Sequence, residues 1–289
     1  WLMILSASRR TDIPAYYSEW FVNRLRAGYV LTRNPMNHAQ IKKITLNPDV
    51  VDCIVFWTKD PFNMLDKLDV IDKLGYKYYF QFTVTPYGKS VEKGLRDKEE
   101  IIKTFCELSD RIGSEKILWR YDPIIVNDDF NFAFHKEQFS RLCGKLGRHS
   151  KQCIISFVDV YSKLKYRANA LHEVDKDEII EIGGMISSAA EEYGIKVKAC
   201  CEEMSYLQEC GIGQASCIDK TLIESICGHS LDLKRDRNQR KNCGCYESVD
   251  IGAYNTCRNG CIYCYANFSD TSVSNNCQKH NPQGEFLIG

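Results

Sequence analysis

The chain has 289 residues, a length that suits one α/β barrel better than a single sandwich. Its 38 basic and 38 acidic side chains cancel, so no overall field draws in a polyanion and there is no strong nucleic-acid signal. No apolar run reaches the about 20 residues of a membrane helix and the start carries no secretory leader pattern, so a cytoplasmic protein without membrane contact is expected.

In chain order, Met3–Ala7 reads as a short buried strand. Pro14 and Gly28 bracket a helix. Val30–Thr32 is a weak strand, and Val51–Thr58 a strong one. Pro61–Leu74 is helical with Gly75 at its stop, and Tyr76–Thr85 is a strand rich in aromatic and β-branched residues. A charged helix spans Asp97–Ile112. Then come a strand at Ile117–Tyr121, a helix at Phe132–Leu146 and a strand at Cys153–Val160. Asp175–Tyr193 is a helix capped by Gly194, followed by a strand at Ile195–Cys201, a short helix at Thr221–Cys227 and a last strand at Val249–Tyr254.

Repeated β-then-α order predicts an α/β fold, a parallel (βα) TIM-like full or partial barrel. It has seven good strands, with Val30–Thr32 as a weak eighth. The compositional break is a polar stretch near residues 229–242. It divides a barrel body, 1–228, from a cysteine-rich segment, 229–289, that is expected to complete the barrel. The basic run from Lys234 to Lys241 reads as a solvated connector or as a phosphate or partner contact.

In parallel barrels the chemistry sits where the strands end. Those ends carry Arg9, Arg10 and Asp12; Lys59 and Asp60; Thr85; Arg120, Tyr121 and Asp122; Asp159 and Tyr161; and Cys200, Glu202 and Glu203. Arg9, Arg10, Asp12, Lys59, Arg120 and Asp122 are the candidate catalytic residues. Arg9 and Arg10 with Asp12 suit anion binding, or a plain surface ion pair at a helix start. Asp60 suits a helix N-cap, leaving Lys59 to face the site. Asp122 is a ribose-binding candidate, and Glu202–Glu203 a pair for proton handling or ribose contact. The six histidines show no metal spacing, and no phosphate-cradling glycine loop or serine elbow is present.

There are 15 cysteines, an odd number, and eleven fall between Cys200 and Cys277. That pattern argues for metal rather than for a secreted disulfide framework. Cys257, Cys261 and Cys264 follow the spacing C-x3-C-x2-C, which lets one short loop give three thiolates to a [4Fe–4S] cluster and leave one iron open. A zinc knuckle or a structural four-cysteine site is the alternative. Gly260 permits the tight backbone, and Tyr263 offers a flat face for an adenine. Cys200, Cys217, Cys243 and Cys245 form a second possible set for iron–sulfur, zinc or free thiols, whereas Cys201, Cys210, Cys227 and Cys277 are expected to be bystanders.

The stretch CRNGCIYCY resembles the cluster loop of the radical S-adenosylmethionine superfamily. In that superfamily the loop follows the first barrel strand; here it follows the last, as in a circular permutation, which neighbouring barrel termini permit. The segments SASRRTDIPAYY, VFWTKDP, WRYDPI, CIISFVDVY, KNCGCYESVDIGAYNTC and CIYCYAN resemble domain-of-unknown-function family 1848, and that likeness extends to Cys200, Cys217, Cys243 and Cys245. FWTKDP and WRYDPI also faintly resemble spore photoproduct lyase-like proteins. The superfamily resemblance implies a [4Fe–4S] cluster, and two if the second set is loaded. It also implies bound S-adenosylmethionine, a small-molecule substrate, and an electron donor such as ferredoxin or flavodoxin. Tyr263, Arg10 and Glu202 are the cofactor-binding candidates. The first strand reads SASRR where the superfamily has a Gly-Gly-Glu-like run, so Arg9 or Arg10 would pair with the cofactor carboxylate. An electron-transfer protein without that cofactor, and a nucleic-acid repair lyase, are the rival expectations.

Overall fold

The structure is a computed structural model that describes residues 2–160, 171–240 and 242–289. Tyr161, one of the predicted strand-end residues, lies outside the described residues. Eight strands form one parallel sheet: β1 (Met3–Ala7), β4 (Val51–Thr58), β5 (Tyr78–Thr83), β6 (Ile117–Ile124), β7 (Gln152–Phe157), β8 (Lys196–Ala199), β9 (Gly213–Gln214) and β10 (Val249–Asp250). Their order is β10-β1-β4-β5-β6-β7-β8-β9. The last strand in sequence therefore lies beside the first, with Leu5 opposite Val249 and Ser6 opposite Asp250.

The fold is α/β as expected, but the barrel is open. Its edges are the two-residue strands β9 and β10, which do not pair with each other. Val30–Thr32 is no member of the sheet; it belongs to β2 (Tyr29–Asn34), which forms a separate antiparallel hairpin with β3 (Asn37–Thr45). The predicted last strand shrinks to Val249–Asp250.

Alternation along the strands explains what the sheet buries. Leu5, Ile54, Phe56, Phe80, Trp119 and Ile155 join the large core that the helices cover. Ile4, Cys53, Val55, Tyr79, Leu118 and Ile154 point to the other face, where they meet Cys217, Ile218, Leu231 and Cys245. Side chains between Ala215 and Leu231, with Cys245, thus fill the side that strands would line in a closed barrel. Both faces are buried, so the central strands are apolar almost throughout, as in the run VDCIVFWT.

The covering helices start and stop where local chemistry directs. The Asp97 side chain accepts from Glu99 N to cap α5 (Lys98–Ile112). Asp175 and Glu178 form a capping box on α7 (Lys176–Glu191). Asp12 caps α1 (Ile13–Tyr16), with Pro14 in the first turn. Among the described residues no helix is long and apolar enough to cross a membrane.

Candidate functional site

On the inner face, the residues one step beyond Ile4, Val55, Tyr79, Leu118 and Ile154 are Ser6, Trp57, Gln81, Arg120 and Ser156. The apolar inner layer therefore gives way to a polar one toward the C-terminal strand ends. There a cavity of about 470 Å³ opens. Arg9, Arg10, Asp12, Lys59, Arg120, Asp122, Tyr263 and the predicted cysteines Cys200, Cys217, Cys243, Cys245, Cys257, Cys261 and Cys264 all line it. A larger hollow, about 720 Å³, lies between the β2–β3 hairpin and residues 251–255; none of those candidates lines it.

Asp250 on β10 organises the arginine shelf. It accepts from Ser6 Oγ at 3.0 Å, Ser8 Oγ at 2.7 Å and Arg9 N at 2.8 Å. The Arg9 guanidinium then lies 4.8 Å from the Trp57 ring centre, and that of Arg120 lies 5.5 Å from the same ring. Trp57 Nε1 donates to Ser6 Oγ at 3.1 Å, which fixes the ring. Arg10 packs over Tyr254 and donates to Gly252 O at 3.4 Å.

Asp12 is buried and accepts from Lys59 N at 2.7 Å, Ala15 N at 3.1 Å and Asn259 Nδ2 at 3.2 Å. Burial pushes its carboxyl up to about 6, against these hydrogen bonds. It joins the start of α1, the end of β4 and the cysteine loop at one point. Asp122 is bound by Arg120 and by Ser156, so its oxygens are engaged within the protein.

The Lys59 ammonium donates to Glu92 Oε1 at 2.9 Å. Glu92 also accepts from Thr85 Oγ1 at 2.9 Å, from Lys98 and from the Tyr263 hydroxyl. Burial alone would raise this carboxyl, but Lys59 and Lys98 bring it down to about 2. Burial likewise opposes the charge of Lys59, and the Glu92 carboxylate outweighs it, raising that ammonium above its usual range. Glu92 stands in a loop without periodic pattern, so sequence reasoning passed over it.

The cysteine loop is held from both sides. Gly94 N donates to Asn259 O at 2.9 Å and Ile262 N to Val91 O at 3.0 Å. Asn267 Nδ2 donates to Cys257 O at 2.7 Å, and Tyr16 Oη to Asn259 Oδ1 at 2.6 Å. Gly260 takes the left-handed backbone (φ 64°) that the tight turn needs. Cys257 and Cys261 are buried and Cys264 is half-buried. Burial pushes the Cys257 thiol up and Cys261 to about 12, so a metal would have to displace their protons.

Among the described residues, no three His, Cys, Asp or Glu side chains converge on a point that would hold one metal ion. Cys257, Cys261 and Cys264 are three thiols of one short loop lining one cavity, a donor set that suits an iron–sulfur cluster.

Five predicted strand-end residues lie elsewhere, Tyr121 among them with its hydroxyl on His135 Nδ1 at 2.8 Å. Glu202 is not among the cavity's lining residues; its Oε1 accepts from Phe157 N at 2.8 Å, and burial raises it to about 7. Glu203 precedes α8 (Met204–Leu207). Asp60 is held by Arg96 at 2.6 and 2.7 Å, and Thr85 by Glu92. Asp60 stands at the start of α3 (Phe62–Leu65), where its Oδ1 accepts from Phe62 N at 3.4 Å, although Pro61 takes the cap position itself. Cys201, expected to be a bystander, instead lies 3.7 Å, sulfur to sulfur, from Cys200.

One protein-family model matches residues 4–266, all but the two ends of the chain. The chain belongs to the family described as domain of unknown function, DUF1848. No curated protein matches the DUF1848 chain. Among solved structures it is similar to a putative alpha-L-fucosidase from Bacteroides thetaiotaomicron VPI-5482, at 9% identity over 79% of this chain and 86% of that one. The TM-score of that pair is 0.26, too low to carry an argument about this DUF1848 protein.

Proposed function

We propose that this protein is a radical S-adenosylmethionine-type enzyme, in which Cys257, Cys261 and Cys264 hold a [4Fe–4S] cluster at the cavity wall. The observation that carries the reading is the setting of the thiols. They share one cavity with Arg9, Arg10, Lys59 and Arg120, and they sit on a loop that Glu92, Gly94 and Asn267 anchor. When bound, such a cluster supplies one electron that cleaves S-adenosylmethionine and starts radical chemistry on a small substrate.

The chain's own residues bind, orient and exclude water. Arg10 is the candidate for the cofactor carboxylate, since its guanidinium keeps only a 3.4 Å hydrogen bond to Gly252 O and a 4.0 Å contact with Asp250. Lys59 brings positive charge beside Cys261, which favours a reduced, more negative cluster. The Tyr263 ring is held by its hydroxyl on Glu92, with Lys59 Nζ 5.3 Å from its centre. In this reading residues 1–228 are the body and 229–289 bring the cluster loop to it. A reduced carrier of the ferredoxin or flavodoxin class supplies the electron.

The test is anaerobic reconstitution with iron and sulfide, followed by electron paramagnetic resonance of the reduced protein. A cluster signal that changes shape on adding S-adenosylmethionine, with release of 5′-deoxyadenosine, is expected. Loss of that signal in Cys261→Ala is expected too. A signal indifferent to the cofactor would favour an electron-transfer protein, and no reducible cluster at all would end both readings.

A further inference from the structure

Outside the 257–264 loop, a second group of thiols faces the same cavity. Cys200 follows β8, and Cys217 follows β9. Cys243 and Cys245 precede β10. Cys200 Sγ lies 3.2 Å from Cys217 Sγ and 3.7 Å from Cys201 Sγ. Cys201, Cys243 and Cys245 line the same cavity. All five are free thiols. Backbone geometry holds them: the Cys217 carbonyl accepts from Tyr79 Oη at 2.6 Å and Gln81 Nε2 at 2.8 Å, both on the sheet's inner face. Ser216 Oγ ties this turn to Gly244 O at 2.8 Å.

Two guanidiniums point at the group. Arg120 Nη1 donates to Cys217 Sγ at 2.9 Å. Arg9 lines the same cavity as Cys245 and Cys217, and its Nη2 is buried with no hydrogen-bond partner among the described residues. Its side chain has the face of Trp57 and a 3.5 Å contact to Ser248 Oγ, but no carboxylate within ion-pair distance. A guanidinium is always charged, and an anionic centre beside it would offset the cost of its burial.

We propose that Cys200, Cys217, Cys243 and Cys245 hold a second iron–sulfur cluster, with Cys201 beside it and with Arg9 and Arg120 offsetting its negative charge. The four ligands come from both ends of the sheet, one after β8, one after the edge strand β9 and two before the edge strand β10. A cluster there would bridge the gap that hydrogen bonds leave open. This inference goes beyond the reading of the 257–264 loop and does not rest on it.

The experiment uses the full chain purified anaerobically and reconstituted with ferrous iron and sulfide. In the variant Cys257→Ala, Cys261→Ala, Cys264→Ala, iron and acid-labile sulfide are expected in equal amounts, at about half the level of the unaltered chain. Adding Cys217→Ala and Cys245→Ala to it removes both. Cys210→Ala, whose thiol lies apart at Ile180 O, leaves both in place. Zinc without sulfide, or no metal with titratable thiols, overturns the proposal. Should the triple variant fail to fold, Cys217→Ser with Cys245→Ser in the unaltered loop is expected to lose half the iron and sulfide. Unchanged content overturns the proposal. The outcomes separate the two readings: if only the loop reading fails, the triple variant matches the unaltered chain. If only this one fails, the triple variant is metal-free.

Discussion

The Lys59 ammonium donates to Glu92 Oε1 across 2.9 Å, and the Glu92 side chain has no exposed surface. Lys98 shares the same carboxylate, so one buried anion holds two cations. Glu92→Gln keeps the shape and removes the charge. It is expected to destabilise the chain by about 3–5 kcal/mol, because two partly buried ammonium groups lose their counter-ion. Adding Lys98→Met should restore part of the loss. Urea unfolding measures both, and a loss below about 1 kcal/mol for Glu92→Gln contradicts the assignment.

Gly94 packs directly against the cysteine loop, its N–H donating to Asn259 O at 2.9 Å. A Cβ there would stand 2.1 Å from Arg258 O and 2.9 Å from Asn259 C, both backbone atoms that cannot swing away. Gly94→Ala is expected to cost about 1–3 kcal/mol by overpacking and to reduce the iron retained after reconstitution. Gly88→Ala, with nothing within 4 Å, is the control and should stay within about 0.5 kcal/mol of the unaltered chain. Equal effects at the two glycines would refute the close approach.

His135 predicts a pH dependence. It is fully buried; Nε2 meets the Ile125 carbonyl at 2.8 Å, so that nitrogen carries the proton and Nδ1 accepts from Tyr121 Oη at 2.8 Å. Burial lowers its pKa from 6.5 although the Ile125 carbonyl favours the charged form. Below about 6.5 the unfolded chain therefore binds a proton that the folded chain resists. Stability is expected to be full above that value and to fall with the pH beneath it. In His135→Gln this part of the slope should vanish when urea midpoints are compared between pH 7.5 and 5. An unchanged slope would assign it to other groups.

Asp175 caps α7 through Asp177 N and Glu178 N, both at 2.9 Å. Asp175→Ala is expected to lower stability by about 1 kcal/mol, and Asp175→Ser to recover most of it. Thermal unfolding of the three proteins gives the comparison; an alanine as stable as the serine would show that the cap contributes nothing.

The fold was legible where burial imposes a repeating pattern. Val51–Thr58 and Tyr78–Thr83 are apolar on both faces, and such runs announce a covered parallel strand. Gly213–Gln214 announces nothing, since two exposed residues carry no periodicity, so the eighth strand was placed wrongly at Val30–Thr32. The polar, exposed strand Asn37–Thr45 went unseen for the same reason. Within the site, Arg9, Lys59 and Arg120 were found because strand ends converge. Glu92 was not, because its partners Lys59 and Tyr263 are 33 and 171 residues away. Cys201 looked like a spare thiol beside Cys200. Its left-handed backbone, φ 62°, accompanies a side chain whose sulfur lies 3.7 Å from that of Cys200, a turn no local motif advertises.

Asp250 gathers Ser6, Ser8 and the Arg9 amide from the opposite extreme of the chain. A ribosome delivers those partners first and Asp250 more than two hundred residues later. Until then the arginine shelf has no scaffold, and the cysteines of 257–264 have not yet emerged. The anchorage that joins the first strand to the last is thereby deferred until synthesis is nearly finished, and a chain interrupted before residue 249 would lack both Asp250 and every cysteine of the 257–264 loop.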